Sequence, residues 1–154
     1  MTSVMSDSTT LIVLGNLKRF ELLSNLFSTI YIPKSVHKEL TYKKIDELPS
    51  FIKVEDVAPS KDVDMLNLLL DKGESEAIAL ALQKETLLVI DEKKGRKIAK
   101  NMGLSVIGLL GIFYLNVKKD FISKEESLEL LDECLKNGFR ISQKLIDDFR
   151  VSLQ

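Results

Sequence analysis

The feature that most constrains the fold is the alternation of short β-branched or apolar runs with stretches of helical period. This alternation is typical of a parallel sheet covered by helices on both faces, because parallel strands need a crossover that is usually helical. No low-complexity linker interrupts it, so we predict one α/β domain over residues 1–154 with about five strands. The predicted strands lie at about 2–6, 28–32, 51–57, 86–91 and 104–107.

Glycine and proline positions predict where the helices begin and end. Gly15-Asn16 is the predicted break in the helical stretch between the first two strands, and Lys72-Gly73 is predicted to separate two later helices. Pro33 is predicted to open a helix, and Gly103 to end one. Further helices are predicted at 62–70, 74–84, 109–118, 124–136 and 142–153.

Composition excludes several kinds of site. Lys and Arg number 22 against 23 Asp and Glu, so any nucleic-acid-binding surface must be local. The single cysteine, Cys134, rules out an internal disulfide and a multi-cysteine zinc site, as is typical of a reducing cytosol. The single histidine, His37, rules out a paired-histidine zinc site. No apolar run approaches the roughly 20 residues that span a bilayer, so we predict a cytoplasmic protein with no membrane segment.

Two aspartates lie at the ends of predicted strands. Asp7 follows the first strand and Asp91 closes the fourth. In an open parallel sheet, ligands bind outside the carboxyl ends of the strands, where the strand order reverses. The carboxylates of Asp7 and Asp91 lie side by side if the first and fourth strands, from which the two halves of the sheet begin, are neighbours. An aspartate at a strand end also commonly caps the next helix, so either residue alone fits both roles.

Two glutamates lie on helix faces that are predicted to pack inward. Glu74 begins the apolar stripe of DKGESEAIALALQKE, whereas Glu76 lies about 200° around the helix axis and should face solvent. In PKSVHKELTYKK, Val36 and Leu40 mark the inward face of the helix, and Glu39 lies beside Leu40. The alternatives are a first-turn acid that favours the helix dipole for Glu74, and an exposed helix residue for Glu39.

Carboxylates that converge in one cleft repel one another unless some are protonated or a divalent cation binds. Without histidine or cysteine partners, oxygen ligands select Mg²⁺ or Mn²⁺ over zinc. Such ions clamp phosphate oxygens and lower the pKa of bound water. The pattern therefore predicts metal-dependent cleavage of a phosphodiester, and the candidate ligands and catalytic residues are Asp7, Glu39, Glu74 and Asp91.

Five stretches in this order resemble the PIN-domain ribonucleases: SDSTTLI, IPKSVHKEL, DKGESEAIALAL, LLVIDEKKGRKIAKNMGLSVIG and NGFRIS. The most specific part is GE-x-EAIALA followed by LLVID-x-x-x-GR, and the pattern is most similar to the VapC-like toxins of toxin–antitoxin pairs. The resemblance implies a three-layer α/β/α fold with strand order 3-2-1-4-5. It also implies Mg²⁺- or Mn²⁺-dependent RNA hydrolysis that leaves a 5′-phosphate and a 3′-hydroxyl, inhibition by a small antitoxin protein, and a homodimer.

The same resemblance assigns roles to individual residues. Relatives often have Asp-Asp where this chain has Asp91-Glu92, so Glu92 is an alternative last ligand. Relatives commonly have Ser-Pro after the first aspartate motif, where this chain has Thr9-Thr10. A hydroxyl is retained, so we expect Thr9 or Ser8 to orient Asp7. The implied metal ligands, in chain order, are Asp7, Glu39, Glu74 and Asp91.

A basic segment follows the fourth strand. Lys93, Lys94 and Arg96 are candidate contacts for RNA phosphates, with Arg96 the foremost. For Lys97 and Lys100 a solvated helix face is the preferred interpretation. Only the resemblance selects RNA over DNA, and a PIN-like module that binds RNA or protein without catalysis is the alternative function.

Overall fold

The computed structural model describes residues 2–154, and within them the strands form one five-stranded sheet flanked by helices. All strand pairs are parallel, in the order β3-β2-β1-β4-β5. The predicted order 3-2-1-4-5 and the α/β/α class are therefore confirmed. The strands are β1 (Thr2–Ser6), β2 (Phe27–Ile32), β3 (Ile52–Val54), β4 (Leu88–Val89) and β5 (Val106–Ile107).

The two central strands bring the first and fourth strand ends together. Ser6 pairs with Val89, and the N–H of Asp7 donates to the Val89 carbonyl at 2.9 Å. From these two strands the chain proceeds outward in opposite directions, so their carboxyl ends flank the switch point of the sheet. The residues that follow β1 and β4 therefore share one edge.

The last three strands are shorter than their apolar runs predicted. Ile90, for example, lies beyond the two residues of β4, although it is buried and its N–H still donates to the Ile107 carbonyl at 3.0 Å. The apolar run therefore indicates which residues are buried, and the buried segment is longer than the strand itself.

The helices fill the connections between the strands and the carboxyl-terminal third. They are α1 (Ser8–Leu17), α2 (Glu21–Ser24), α3 (Lys34–Tyr42), α4 (Lys61–Leu69), α5 (Lys72–Lys84), α6 (Lys93–Asn101), α7 (Leu109–Lys118), α8 (Lys124–Lys136) and α9 (Gln143–Ser152).

The two helix breaks predicted at Gly15-Asn16 and at Lys72-Gly73 are both wrong. Gly15 lies inside α1, where an added Cβ would lie 2.8 Å from Ile45 Cγ2, so this glycine permits close packing. The helix instead ends at Lys18, which has a left-handed φ of 58°. Lys72-Gly73 lies in the first turn of α5, and Asp71 is its N-cap. Residues other than these glycines set the two helix ends, whereas Gly103, with a left-handed φ of 92°, follows the end of α6 as predicted.

Helix α5 is buried on more than the one predicted stripe. It packs against β1, β4, α3, α4 and α6, so Ser75, Ala79 and Leu80 are as inaccessible as the stripe itself. Glu74 is buried, as predicted, and Glu76 is only partly exposed. A central helix of this kind needs the small residues that its sequence supplies.

The chain separates into two compact units, Met1–Leu109 with the whole sheet and Leu110–Gln154, which is helical. The second unit buries residues such as Leu130, Leu131 and Cys134. A single domain over residues 1–154 stays a prediction. No helix within residues 2–154 is long and apolar enough to cross a membrane.

Candidate metal centre

Asp7 lies directly after β1, at the N-cap position of α1. Its backbone is extended, with φ −80° and ψ 179°, yet its side chain makes no capping hydrogen bond to the helix. The residue is only 4% exposed. The carboxylate is therefore not used as a helix cap, the structural role that the sequence left open.

Other carboxylates approach Asp7 from three elements. A Cβ atom added at Gly73 would lie 3.6 Å from both Asp7 Oδ1 and Asp71 Oδ1, so these two oxygens are separated by no more than about twice that distance. The pKa of Asp7 is raised to about 7, first by burial and then by the charges of Asp71, Glu39 and Asp91, which together outweigh the lowering hydrogen bond from the Ser8 N–H. A buried, crowded carboxylate of this kind favours a bound cation or a proton.

Glu74 is the second buried acid, 8% exposed, in the first turn of α5. Its Oε2 atom is buried and has no hydrogen-bond partner among the described residues. Burial raises the pKa of Glu74 to about 8, with further contributions from the charges of Asp71 and Asp7 and from hydrogen bonds with Asp71 and Glu92. Two ionised carboxylates cannot supply a proton to each other, so Oε2 lacks a donor until one of them is protonated.

Asp91 is held by two donors at the end of β4. The Thr10 hydroxyl donates to Oδ2, and the Leu109 N–H donates to Oδ1 at 2.9 Å. Burial raises the pKa of Asp91, while these donors and the nearby Arg96 guanidinium lower it. The orientation of this carboxylate is therefore fixed before any ligand binds.

Glu92 is exposed and caps α6, where its Oε2 accepts from the Gly95 N–H at 2.7 Å. Burial acts to raise the pKa of Glu92, but hydrogen bonds from the N–H groups of Gly95 and Lys94 and from Glu74, with the Lys94 charge, lower it. Asp91 acts on Asp7, whereas Glu92 interacts with Glu74. Asp91 and Glu92, the two candidates for the last ligand, therefore interact with different acids.

The hydroxyls that follow Asp7 have partners other than the predicted one. Ser8 donates to Glu39 Oε2 at 2.8 Å, not to Asp7, and Thr9 is partly exposed. Thr10, which the sequence analysis did not select, donates to Asp91. Hydroxyl groups in the first turn of α1 therefore donate hydrogen bonds to both Glu39 on α3 and Asp91 after β4. Only the density of hydroxyls in SDSTT hinted at this arrangement.

Asp71 is the acidic residue that sequence reasoning missed. Its Oδ1 accepts from the Glu74 N–H at 2.8 Å, and the Asp71 N–H donates to Glu74 Oε1 at 3.4 Å, which forms a capping box. The signal was present in the sequence, because Asp followed three residues later by Glu at a helix start is the pattern of that motif.

The glycine and arginine of the segment KKGRK have structural partners. Arg96 Nη1 donates to the Ile90 carbonyl at 2.8 Å, so this nitrogen holds the end of β4. A Cβ atom at Gly95 would lie 2.8 Å from Ile90 Cδ1 and 3.4 Å from Glu74 Oε2, so only glycine lets α6 approach this closely. Lys93 and Lys94 are exposed at the start of α6.

The donor set fits a hard divalent cation. Glu74 Oε2 is a buried acceptor without a partner, and its neighbours are carboxylates with no sulfur or imidazole among them. Within residues 2–154, no three acidic, histidine or cysteine side chains stand close enough to hold one ion as they are. A shared metal would therefore require these carboxylates to move closer together.

A family model described as a PIN domain matches residues 3–154, almost the full length of the chain. No curated protein sequence matches it.

Proposed function

The chain belongs to the PIN-domain family, which consists generally of nucleases, and from that premise we propose that it is a divalent-metal-dependent endoribonuclease that hydrolyses RNA phosphodiester bonds. The observation that carries the proposal is the pair of buried acids at the switch point. Asp7 makes no cap hydrogen bond, and Glu74 Oε2 has no partner among the described residues. Burial of these two acids makes their ionised forms costly, and a bound cation would offset that cost.

In this proposal the chain supplies oxygen ligands from four elements and holds them in place. Thr10 and the Leu109 N–H orient Asp91, and Ser8 holds Glu39. When bound, Mg²⁺ or Mn²⁺ activates water and stabilises charge on the cleaved phosphate. The ligands are Asp7, Glu39, Glu74 and Asp91, with Glu92 the alternative to Asp91.

The exposed start of α6 is the proposed RNA-binding surface. Lys93 and Lys94 immediately follow the acids Asp91 and Glu92, so they can bind the phosphates that flank the cleaved bond. Arg96 also has further donors besides the one bound to the Ile90 carbonyl.

Replacing Lys93 and Lys94 together with alanine is expected to weaken binding of single-stranded RNA and to flatten its salt dependence. Each lost phosphate contact lowers the slope of log affinity against log salt by about 0.7. The measurement is fluorescence anisotropy of a labelled RNA between low and moderate salt. The matched control replaces Lys97 and Lys100 on the same helix. An equal loss in that control would mean that α6 acts only through its overall charge.

The metal requirement is tested directly by RNA cleavage. We expect cleavage with Mn²⁺ or Mg²⁺, none with EDTA, and recovery when the metal is added back, with products that carry 5′-phosphates. Cleavage that persists in EDTA would contradict the proposal. RNA binding without cleavage under either metal would instead favour the non-catalytic binding module.

We further propose that this ribonuclease is the toxin of a type II toxin–antitoxin pair and acts in the cytoplasm. Support comes from the likeness of GE-x-EAIALA and LLVID-x-x-x-GR to VapC-like toxins. The proposal brings two partners with it, a small antitoxin protein that blocks cleavage and a second copy of the chain in a homodimer.

A further inference from the structure

Asp71 is a further acid near Asp7 and Glu74, although its sequence position marks it only as a helix cap. Its Oδ1 accepts the Glu74 N–H at 2.8 Å, and the same atom lies 3.6 Å from the Cβ position of Gly73. Asp7 Oδ1 lies 3.6 Å from that position as well, so the two oxygens are no farther apart than about twice this distance. The cap therefore holds a carboxylate near Asp7 and in direct hydrogen bond with the backbone of Glu74.

We propose that Asp71, besides capping α5, is a fifth functional carboxylate of the metal centre, with its charge acting on the bound cation. The inference rests on the proposed metal-dependent function. An independent observation supports it, because Glu74 Oε2 is buried and has no partner among the described residues, and Oε1 of the same side chain accepts the Asp71 N–H at 3.4 Å.

The two roles of Asp71 depend on different chemistry. Capping needs an oxygen acceptor of the right length, which Asn supplies as well as Asp does. Attraction of a cation needs the negative charge, which Asn lacks. The Asp71 side chain is exposed, so its charge is accessible to a cation that approaches from solvent.

The test compares Asp71→Asn, which keeps the cap and removes the charge, with Asp71→Glu, which keeps the charge and weakens the cap. Mn²⁺ affinity is measured by calorimetry on the full chain, and the melting temperature is measured without metal. We expect Asp71→Asn to lose roughly 3- to 10-fold in Mn²⁺ affinity without a loss of melting temperature. We expect Asp71→Glu to melt earlier and to bind Mn²⁺ within about twofold of wild type.

A matched cap variant, Ser60→Ala at the start of α4, controls for loss of a helix cap. Unchanged Mn²⁺ affinity in Asp71→Asn would overturn the role of the charge. Affinity that falls only in proportion to melting temperature across Asp71→Glu and Ser60→Ala would overturn it too. A wild type that binds no Mn²⁺ would overturn both this inference and the metal centre, whereas binding without RNA cleavage would overturn the ribonuclease proposal alone.

Discussion

Asp7→Asn is expected to lower metal-dependent RNA cleavage by about 100-fold or more. The amide keeps the size of the side chain but lacks the charge that a hard cation requires. Asp7 is the most buried of the proposed ligands and receives the charges of three other acids. No neighbouring carboxylate can replace it without moving into a site that is already packed.

The same variant is expected to be more stable than wild type without metal above pH 7. The pKa of Asp7 is raised from 3.8 to about 7 in the folded protein, so the acid destabilises the fold once it ionises. Below about pH 4 the carboxyl is protonated in both the folded and the unfolded protein, so Asp7 does not lower the free energy of unfolding. That free energy falls as the pH rises from 4 through 7, because the unfolded protein loses this proton more readily than the folded protein does. Asn does not titrate, and the difference has an upper limit of about 4 kcal/mol.

Thermal unfolding at pH 5 and pH 8 in EDTA measures this effect, and the gain from Asp7→Asn should appear at pH 8. The control is Asp46→Asn, because Asp46 is exposed in the loop after α3. Equal cleavage by Asp7→Asn and wild type would point to a contaminating nuclease and would refute the site assignment. The toxin proposal predicts that expression of the wild type without antitoxin arrests growth and that expression of Asp7→Asn does not.

Gly108→Ala is expected to destabilise the fold by about 1–3 kcal/mol and to lower cleavage by about 10- to 100-fold. An added Cβ would lie 2.6 Å from Asp91 Oδ1 and 2.9 Å from Arg96 Nη1. Asp91 cannot swing aside without losing the donors Thr10 and Leu109. The methyl group must therefore displace either the carboxylate or the backbone that holds it.

Gly73→Ala is the matched control for this change. Its Cβ would meet Asp7, Asp71 and Val36 atoms at 3.6 Å, which is ordinary contact distance. Because Gly73 lies within α5, alanine should stabilise the helix by about 0.5–1 kcal/mol. Chemical denaturation and the RNA cleavage assay measure both variants. A Gly108→Ala protein as stable and active as wild type would show that Asp91 adapts freely.

The sheet was predictable because its signals are local. Each strand run carries its own apolar pattern, and the acids at the ends of β1 and β4 follow directly from those runs. The order of the strands came from the family resemblance, since pairing between β1 and β4 joins residues more than 80 positions apart. Periodicity alone does not specify which strands become neighbours.

The partners of individual polar groups were not predictable in the same way. Ser8 and Thr10 stand two residues apart in one helical turn, yet they donate to Glu39 and to Asp91. Which hydroxyl meets which carboxylate depends on how α3 and β4 pack around α1, and no local pattern encodes that packing. Asp71 was missed because its capping role is a sufficient explanation until Asp7 is placed beside it.

The position of β1 between β2 and β4 also sets the order in which the acidic site can assemble. Pairing of β1 with β2 closes a loop of about 25 residues, whereas pairing with β4 closes one of about 80 and is entropically more costly. An intermediate with only the first pairing holds Asp7 near Glu39 but without Asp91 and Glu74. We expect partly folded chains to lack nuclease activity, so the activity arises only when folding is nearly complete.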